Sequence, residues 1–279
     1  MSVRPKKHLG QHFLIDMRAA DRIVALLEPE PGETVLEVGP GKGVLTTRLV
    51  GPGVFPGVGA ATVPVTAVEY DSEAAAYLRQ TLVAPQFTLI EGDFMQVPLP
   101  AGPVAFIGNL PYNLTSPILF RVLEHRHQIR QGVVMVQREV AQRICAPVGT
   151  RECGLLSVLM AFHYRLEYGF TVPPGAFFPP PRVQSAVFRF TRVEPPPTLP
   201  FAALLRVVKA AFNQRRKMLS NALSCLQFPL PPDLASRRAE QLSLEDFARL
   251  VNAYLETHPQ AASAPARLLP QELDALAQL

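Results

Sequence analysis

Residues 35–46 read VLEVGPGKGVLT, in which an apolar run leads into three glycines at alternate positions and then into a helix-compatible segment. Glycine permits a tight turn and lets backbone N–H groups approach a ligand closely. A glycine turn between a strand and a helix therefore predicts a ligand-binding loop, although a plain strand-to-helix turn is the simpler alternative. Only the residues outside the loop can distinguish a ligand-binding loop from a plain turn.

Short apolar runs alternate with helix-compatible segments over the first two-thirds of the chain. The predicted strands are 34–39, 65–71, 87–93, 103–109 and 132–139. The predicted helices between them are 44–50, 72–82 and 116–124. This alternation favours an α/β fold with a parallel sheet covered on both faces. A later pair of segments, 163–172 and 183–190, resembles a closing hairpin.

A proline-rich stretch, EPPPTLP at 194–200, interrupts this pattern and predicts a domain boundary between residues 195 and 196. Beyond it, helical periodicity without convincing strands predicts a small α-helical domain, with helices at 204–212, 217–223 and 244–255. The tail at 259–270 is rich in alanine and proline and is expected to be poorly ordered, before a short helix at 271–279.

Composition excludes several classes of protein. The chain has 279 residues, enough for one large domain and one small, and its three cysteines show no CxxC spacing. We therefore expect no disulfide framework, no metal site and a reducing cytoplasm. The start, MSVRPKKHLGQHF, lacks the apolar core of a secretory signal. Residues 50–68 have the length of a membrane span, but their glycines and prolines predict a loop insertion, so no membrane is expected.

The net charge of +4 is mild, and its distribution is more informative than its size. Charge clusters of this kind are more often solvated faces than binding sites. The two basic clusters are Arg4, Lys6 and Lys7, and Arg215, Arg216 and Lys217.

Acidic and amide side chains lie at the carboxyl ends of the predicted strands. Glu69 can accept hydrogen bonds from ribose hydroxyls, and Asp93 can accept one from an adenine amino group. Each acid alone could equally be a helix cap or a surface charge. Together with Gly39 and Asn109 they fall on the carboxyl edge of one parallel sheet, where open α/β sheets bind ligands.

The glycine spacing narrows the choice of nucleoside ligand. G-x-G-x-G differs from the G-x-G-x-x-G fingerprint of dinucleotide-binding proteins, which have to hold a pyrophosphate. It is typical of enzymes that use S-adenosylmethionine. Glu69 does not separate the two interpretations, because an NAD enzyme also needs an acid there.

The segment 109-NLPYN-113 places an amide, a proline and a tyrosine where a buried strand ends. The Asn109 side chain and the Leu110 main chain each offer a carbonyl, and Pro111 fixes the turn between strand and tyrosine. Such acceptors suit the two hydrogens of an adenine N6 amino group, while Tyr112 offers a ring on which a flipped base can stack. The simpler alternative is a strand-ending turn with a buried tyrosine.

In these motifs the chain resembles the ribosomal RNA adenine N6,N6-dimethyltransferase family, and within it the bacterial enzymes that dimethylate two adjacent adenines in a hairpin near the 3′ end of 16S rRNA. The resemblance covers most of the chain in family order. The matching segments are 6–16, 35–46, 66–71, 91–94, 109–113, 174–187 and 212–223.

The resemblance implies a Rossmann-like S-adenosylmethionine-dependent methyltransferase domain at 1–195, with a basic segment at 1–16 beside the cofactor and RNA, and a helical RNA-recognition domain at 196–279. The implied cofactor-binding residues are His12, Leu14, Gly39, Gly41, Glu69, Asp93 and Asn109. The implied residues at the target adenine are Asn109, Leu110, Tyr112 and Phe177, and the implied phosphate contacts are Arg215, Arg216 and Lys217. The chain departs from the family at His12, where Asn is usual, and at an insertion over 51–64.

The implied partner is 16S rRNA in the immature small ribosomal subunit, bound by a monomer. Two alternatives stay open: a non-catalytic nucleic-acid-binding factor on a methyltransferase fold, and a 23S rRNA adenine methyltransferase with the same catalytic motifs. A glutamine N5-methyltransferase usually has proline at the position of Leu110. A DNA adenine methyltransferase normally carries larger target-recognition segments.

Overall fold

The computed structural model describes residues 3–6, 9–51, 53–58, 62–194 and 198–263. The helix predicted at 271–279, most of the tail at 259–270 and the basic residue Lys7 lie outside these ranges. The described chain forms two compact units. One comprises Met1–Ala141 and Glu167–Thr191, and the other comprises Gln142–Leu166 and Arg192–Leu279.

The secondary structure follows the predicted alternation. The strands are β1 (Phe13–Leu14), β2 (Thr34–Val38), β3 (Val65–Glu69), β4 (Phe87–Glu91), β5 (Val104–Asn109), β6 (Ile129–Gln137), β7 (Tyr164–Val172), β8 (Phe177–Phe178) and β9 (Ser185–Arg192). The helices are α1 (Met17–Ala25), α2 (Thr46–Leu49), α3 (Ser72–Thr81), α4 (Thr115–Glu124), α5 (Arg138–Ile144), α6 (Leu155–His163), α7 (Phe201–Asn213), α8 (Leu219–Ala222) and α9 (Leu244–Thr257).

Seven strands form the main sheet in the order β4-β3-β2-β5-β6-β9-β7, and β1 pairs with β8 in a separate two-stranded sheet. The five strands from β4 to β6 pair in parallel, whereas β9 pairs antiparallel to β6. The strand order reverses between β2 and β5, and the crevice outside the carboxyl ends at such a point is where α/β sheets bind ligands. The predicted α/β class and the closing pair of strands are confirmed.

Continuous apolar runs explain why the central strands are buried on both faces. In β5, the first four residues are fully buried, and β3 is buried throughout. Parallel strands covered by helices have no solvent face, so they lack the alternation of half-exposed strands. The carboxyl ends of β2, β3 and β5 are consequently held in a fixed register beneath the loops that follow them.

The predicted insertion contributes to the core of the sheet-containing unit. Phe55 and Val63 are both buried in the same apolar cluster as Ile23 and Val35, and a short 3-10 turn, Pro56–Val58, lies between them. The insertion is therefore anchored by its apolar side chains. Among the described residues, no helix combines the length and apolar character needed to cross a bilayer.

The second unit is mainly helical. Its core includes Phe212 of α7 and Phe247 of α9, whose rings stack with centroids 6.2 Å apart. It also contains Gln142–Leu166, which the sequence-based boundary at 195/196 placed with the first domain. The division into a catalytic part and an RNA-recognition part at that boundary stays a prediction.

Candidate active site

A cavity of about 350 Å³ opens at the carboxyl edge of the sheet, within the size range of small-molecule sites. Nine of the ten residues predicted for the cofactor and the target base line it. They are His12, Leu14, Gly39, Gly41, Glu69, Asp93, Asn109, Leu110 and Tyr112. Residues from four different strand ends and from the N-terminal segment thus meet in one place, as the sheet-edge argument requires.

The glycine loop after β2 has a backbone that other residues would strain. Gly39, Gly41 and Gly43 have φ values of +69°, +56° and +77°. A Cβ on Gly41 would lie 2.9 Å from the Phe13 ring, and one on Gly43 would lie 2.6 Å from Leu78. The loop therefore depends on glycine both for its conformation and for its close packing.

The Glu69 carboxylate, at the end of β3, is tied to this loop. One oxygen accepts a hydrogen bond from the Gly41 N–H at 2.9 Å, and the other accepts one from the Asp71 N–H at 2.8 Å. Burial raises the pKa of Glu69, and these N–H donors oppose the shift. The carboxylate is thus fixed in orientation at the pocket wall, while each oxygen retains a second lone pair for a ligand hydroxyl.

Glu37, near the end of β2, is a pocket residue that the sequence interpretation missed. It is almost completely buried, and its Oε2 atom has no hydrogen-bond partner among the described residues. Burial raises the pKa of Glu37 to about 8, against an opposing effect of the Thr46 hydroxyl and with a further increase from Glu69. Besides Glu69, the cavity is therefore lined by a second acid, Glu37, and Glu37 is largely neutral at pH 7.

The N-terminal segment is attached to the start of α3 through Asp71. The Lys6 ammonium forms an ion pair with the buried carboxylate of Asp71, and the Gln11 amide donates to the other carboxylate oxygen at 2.9 Å. Asp71 also caps α3 by accepting from the Glu73 N–H. Burial raises the pKa of Asp71, but hydrogen bonds from Lys6, Gln11 and the Glu73 N–H outweigh it, and the net pKa is lowered.

Asp93, after β4, lines the pocket and also stabilises its own turn. Its Oδ1 accepts from the Met95 N–H at 2.9 Å, and its Oδ2 accepts from the Gln96 side chain at 3.2 Å. Both the cap and the ligand interpretations of this acid are compatible with that geometry, because a carboxylate offers more than two acceptor directions. Its contact with adenine stays a prediction.

The last residue of β5 and the first residue of the loop after it present two carbonyl acceptors. The Asn109 amide nitrogen donates to the His12 main-chain carbonyl at 3.1 Å, which assigns the other end of the amide as the acceptor. The Leu110 N–H donates to the Met135 carbonyl at 3.0 Å, and its side chain is buried. Pro111 is extended, with φ −57° and ψ 131°. The loop backbone is consequently anchored on β6 at the point where the two acceptors are offered.

Tyr112 is held at both its hydroxyl and its ring. The hydroxyl lies 2.7 Å from Oγ of Ser185, which is fully buried in β9, and burial raises the pKa of the phenol despite this hydrogen bond. The His12 ring stacks on Tyr112 with centroids 5.7 Å apart, and His12 Nδ1 lies 2.7 Å from the Pro179 carbonyl oxygen. Neither Ser185 nor the contacts of His12 could be identified from local sequence.

The remaining predicted residues are placed differently. Phe177 is only 2% exposed and pairs with Leu14 in the small sheet, and it is not among the residues lining the cavity. In the helical unit, Arg215 bonds to Glu240 at 2.7 Å and to the Arg151 carbonyl, while Arg216 and Lys217 are exposed. The roles of Phe177 and of the three basic residues stay predictions.

The residues around the cavity fit a nucleoside cofactor without a pyrophosphate. Gly41 leaves no room for a side chain, so only backbone faces the ligand there, and the Glu69 carboxylate is oriented for hydroxyl groups. The described part of the chain contains no group of three or more histidine, cysteine or acidic side chains able to hold a metal ion. The sheet order, the glycine loop and the acid at the end of β3 define a Rossmann-like S-adenosylmethionine-dependent methyltransferase.

Comparison with known proteins identifies the family of methyltransferases to which the chain belongs. A family model described as Ribosomal RNA adenine dimethylase matches residues 3–254. The chain belongs to this family.

Relatives of similar length carry one name, Ribosomal RNA small subunit methyltransferase A. The protein of Porphyromonas gingivalis is 44% identical over 263 residues, covering 90% of this chain and 97% of the relative. That of Bacteroides thetaiotaomicron is 41% identical over 271 residues, covering 94% and 98%. That of Leptothrix cholodnii is 39% identical over 263 residues, covering 91% and 93%. These names favour neither a 23S rRNA enzyme nor a non-catalytic factor.

Solved structures agree with the fold. A dimethyladenosine transferase from Plasmodium falciparum superposes with a TM-score of 0.74 at 22% identity, covering 90% of this chain and 98% of that one. The 23S rRNA methyltransferase ErmE gives a TM-score of 0.68 at 27% identity, covering 87% and 99%. The predicted fold, with its Rossmann-like methyltransferase domain, is confirmed.

Proposed function

We propose that the protein transfers methyl groups from S-adenosylmethionine to N6 of two adjacent adenines in a hairpin near the 3′ end of 16S rRNA, giving N6,N6-dimethyladenine. The observation that carries the proposal is the pair of acceptors at the carboxyl end of β5, Asn109 and Leu110. Asn109 is oriented by the His12 carbonyl, and Leu110 is anchored on β6, so both acceptors adjoin the cofactor cavity. Family membership supports the same reaction.

The chemistry requires positioning more than acid or base catalysis. S-adenosylmethionine supplies a methyl group that its sulfonium has already activated. The lone pair of adenine N6 is delocalised into the ring, so the amino group reacts only if it becomes pyramidal. Acceptors at Asn109 and Leu110 would hold its two hydrogens and stabilise that geometry, while Tyr112 stacks on the base. As the N–C bond forms, the sulfur–methyl bond breaks, and one N6 proton leaves to water.

The choice of target rests on several lines of support. Curated relatives at 39–44% identity are named for the small ribosomal subunit. Exposed Arg216 and Lys217 lie in the helical segment proposed to recognise RNA, at 196–279, and can contact phosphates without reading sequence. The proposed setting is the immature small subunit in the cytoplasm, with the enzyme acting as a monomer.

The test is methyl transfer from labelled S-adenosylmethionine to immature small ribosomal subunits, large-subunit RNA and duplex DNA in parallel. Mass spectrometry then identifies the modified base and its position. We expect N6,N6-dimethyladenine only in the 3′ hairpin of small-subunit RNA. Cofactor binding without transfer to any of the three would instead favour a non-catalytic binding factor.

A further inference from the structure

The two adjacent phenylalanines of β8 have opposite environments. Phe177 is 2% exposed, whereas Phe178 is 56% exposed. The difference follows from the pairing of β8 with β1, in which Phe177 is opposite Leu14 and Phe178 is opposite Phe13. Directly opposed residues share a face of the sheet, so Phe177 and Leu14 share the face that belongs to the apolar core. Phe178 and Phe13 share the other face.

Ile15 is a second exposed apolar residue next to this small sheet. It lies just beyond β1, and its N–H donates at 2.8 Å to the carbonyl of Ala176, the residue that ends the 3-10 turn before β8. Ile15 is 50% exposed. The two ends of the small sheet thus expose two large apolar side chains, Ile15 and Phe178, whereas Phe13 is buried.

His12 connects this small sheet to the loop after β5, and Lys42 brings positive charge to Phe13. The carbonyl of Pro179, next to Phe178, lies 2.7 Å from His12 Nδ1, and His12 stacks on Tyr112. Lys42 places its ammonium 5.2 Å from the centre of the Phe13 ring. Arg182, four positions after Phe178, is exposed. Exposed aromatic surface interleaved with cations is the combination with which proteins bind unpaired nucleic-acid strands.

We propose that Phe178, supported by Ile15, stacks on an unpaired nucleobase of the RNA strand that flanks the target adenine. Lys42 and Arg182 would attract the phosphates on either side of that base. The inference rests on the proposed function, because it requires an RNA strand to enter at the loop after β5. It assigns to Phe178 a contact with a neighbouring base that is separate from the target-adenine contact predicted for Phe177.

The test measures methylation of immature small ribosomal subunits by Phe178→Ala, Phe178→Leu and Phe178→Trp variants of the full chain. Loss of one base stack should raise the KM for subunits about tenfold in the Ala and Leu variants. Trp should restore the wild-type KM, because it keeps an aromatic face. The affinity for S-adenosylmethionine, measured by calorimetry, should be unchanged in all three.

Two controls make the result specific. Val83→Ala removes another exposed apolar side chain, 90% exposed and two residues beyond the C-terminal end of α3, and should leave the KM unchanged. Phe177→Ala removes the buried neighbour and should lower the melting temperature, whereas Phe178→Ala should not.

Four outcomes would overturn the inference. A Leu variant as good as the wild type would indicate an apolar contact with a protein instead of a base, and an unchanged KM in the Ala variant would exclude any contact. A parallel loss of cofactor affinity would show that Phe178 supports the pocket. Wild-type enzyme that methylates none of the substrates would overturn the proposed function itself, and this inference with it.

Discussion

The imidazole of His12 stacks on the ring of Tyr112, with centroids 5.7 Å apart and ring planes 27° from parallel. The same residue contacts Pro179 through its side chain and Asn109 through its main-chain carbonyl. His12 therefore links the N-terminal segment to the loop after β5 and to the segment that follows β8.

Replacing His12 tests the stack on Tyr112. We expect His12→Asn to lower kcat several-fold, since a ring pair contributes about 0.5–1.5 kcal/mol, and to leave cofactor affinity within about twofold. Steady-state kinetics and calorimetry measure the two quantities. His12→Phe keeps a ring and should retain most of the activity. If Phe is as poor as Asn, the hydrogen bond to Pro179 is the important contact.

Replacing Asn109 tests the acceptor pair. Asn109→Ala should reduce kcat by about 100-fold or more, because it removes a preorganised acceptor that acts in the transition state. The melting temperature should change little. Asn252→Ala, an exposed amide in α9, is the matched control and should behave like the wild type. Equal losses of stability and activity in Asn109→Ala would identify a structural turn.

Replacing Gly41 tests the cofactor loop. Gly41→Ala forces a left-handed backbone on alanine, at a cost of about 1–2 kcal/mol, and pushes a methyl group against Phe13. We expect cofactor affinity to fall at least about tenfold by calorimetry. Gly57→Ala has no neighbour within 4 Å and should bind normally. Unchanged binding by the Gly41 variant would place the ligand away from this loop.

Replacing Glu37 tests whether this buried acid of the cavity is neutral in the folded protein. Burial raises the pKa of Glu37 from its ordinary value of 4.5 to about 8 in the folded protein. The contribution of Glu37 to the free energy of unfolding is therefore greatest below about pH 4.5, and it is lost as the pH rises to about 8. Glu37→Gln removes the dependence. Thermal melts without cofactor should therefore show that the variant is more stable than the wild type, by a margin that grows from pH 5 to pH 8. At pH 7 the gain in the free energy of unfolding should be roughly 3 kcal/mol.

Glu256→Gln, an exposed acid at the end of α9, is the control for this titration and should follow the wild type at each pH. A Glu37→Gln difference that stays constant with pH would show that Glu37 is ionised in the folded protein.

Replacing the basic cluster of the helical unit separates RNA binding from structure. Arg216→Ala with Lys217→Ala should weaken binding to small-subunit RNA and lower the salt slope by about one for each phosphate that the variant no longer neutralises, without changing stability. Arg215→Ala should instead lower the melting temperature, because it breaks the pair with Glu240. Filter binding at several salt concentrations measures the first effect. An unchanged salt slope in the double variant would place the RNA elsewhere.

Local signals predicted the sheet and most of the cavity. The apolar runs that became β2, β3 and β5 are typical of buried strands, and the three alternating glycines can adopt the positive φ values that the tight turn requires. Glu69 and Asn109, the last residues of β3 and β5, then fall on one edge of the sheet by topology alone. These features depend on residues within a few positions of one another, so sequence expresses them directly.

Features that depend on distant partners were not predicted. Lys6 and Gln11 reach Asp71 across 65 and 60 positions, and nothing near any of them signals the contact. Glu37 has the same appearance as any acid in a strand until the sheet around it is closed. The different environments of Phe177 and Phe178 likewise arise only from pairing with β1.

The bond between Tyr112 and Ser185 has a consequence for the order in which the protein matures on the ribosome that makes it. Ser185 begins β9, 73 positions after the tyrosine, and β9 inserts between β6 and β7, which are synthesised before it. A nascent chain can therefore complete the glycine loop and the five parallel strands while the tyrosine still lacks its anchor. The last strand to emerge therefore supplies the hydrogen bond that fixes Tyr112.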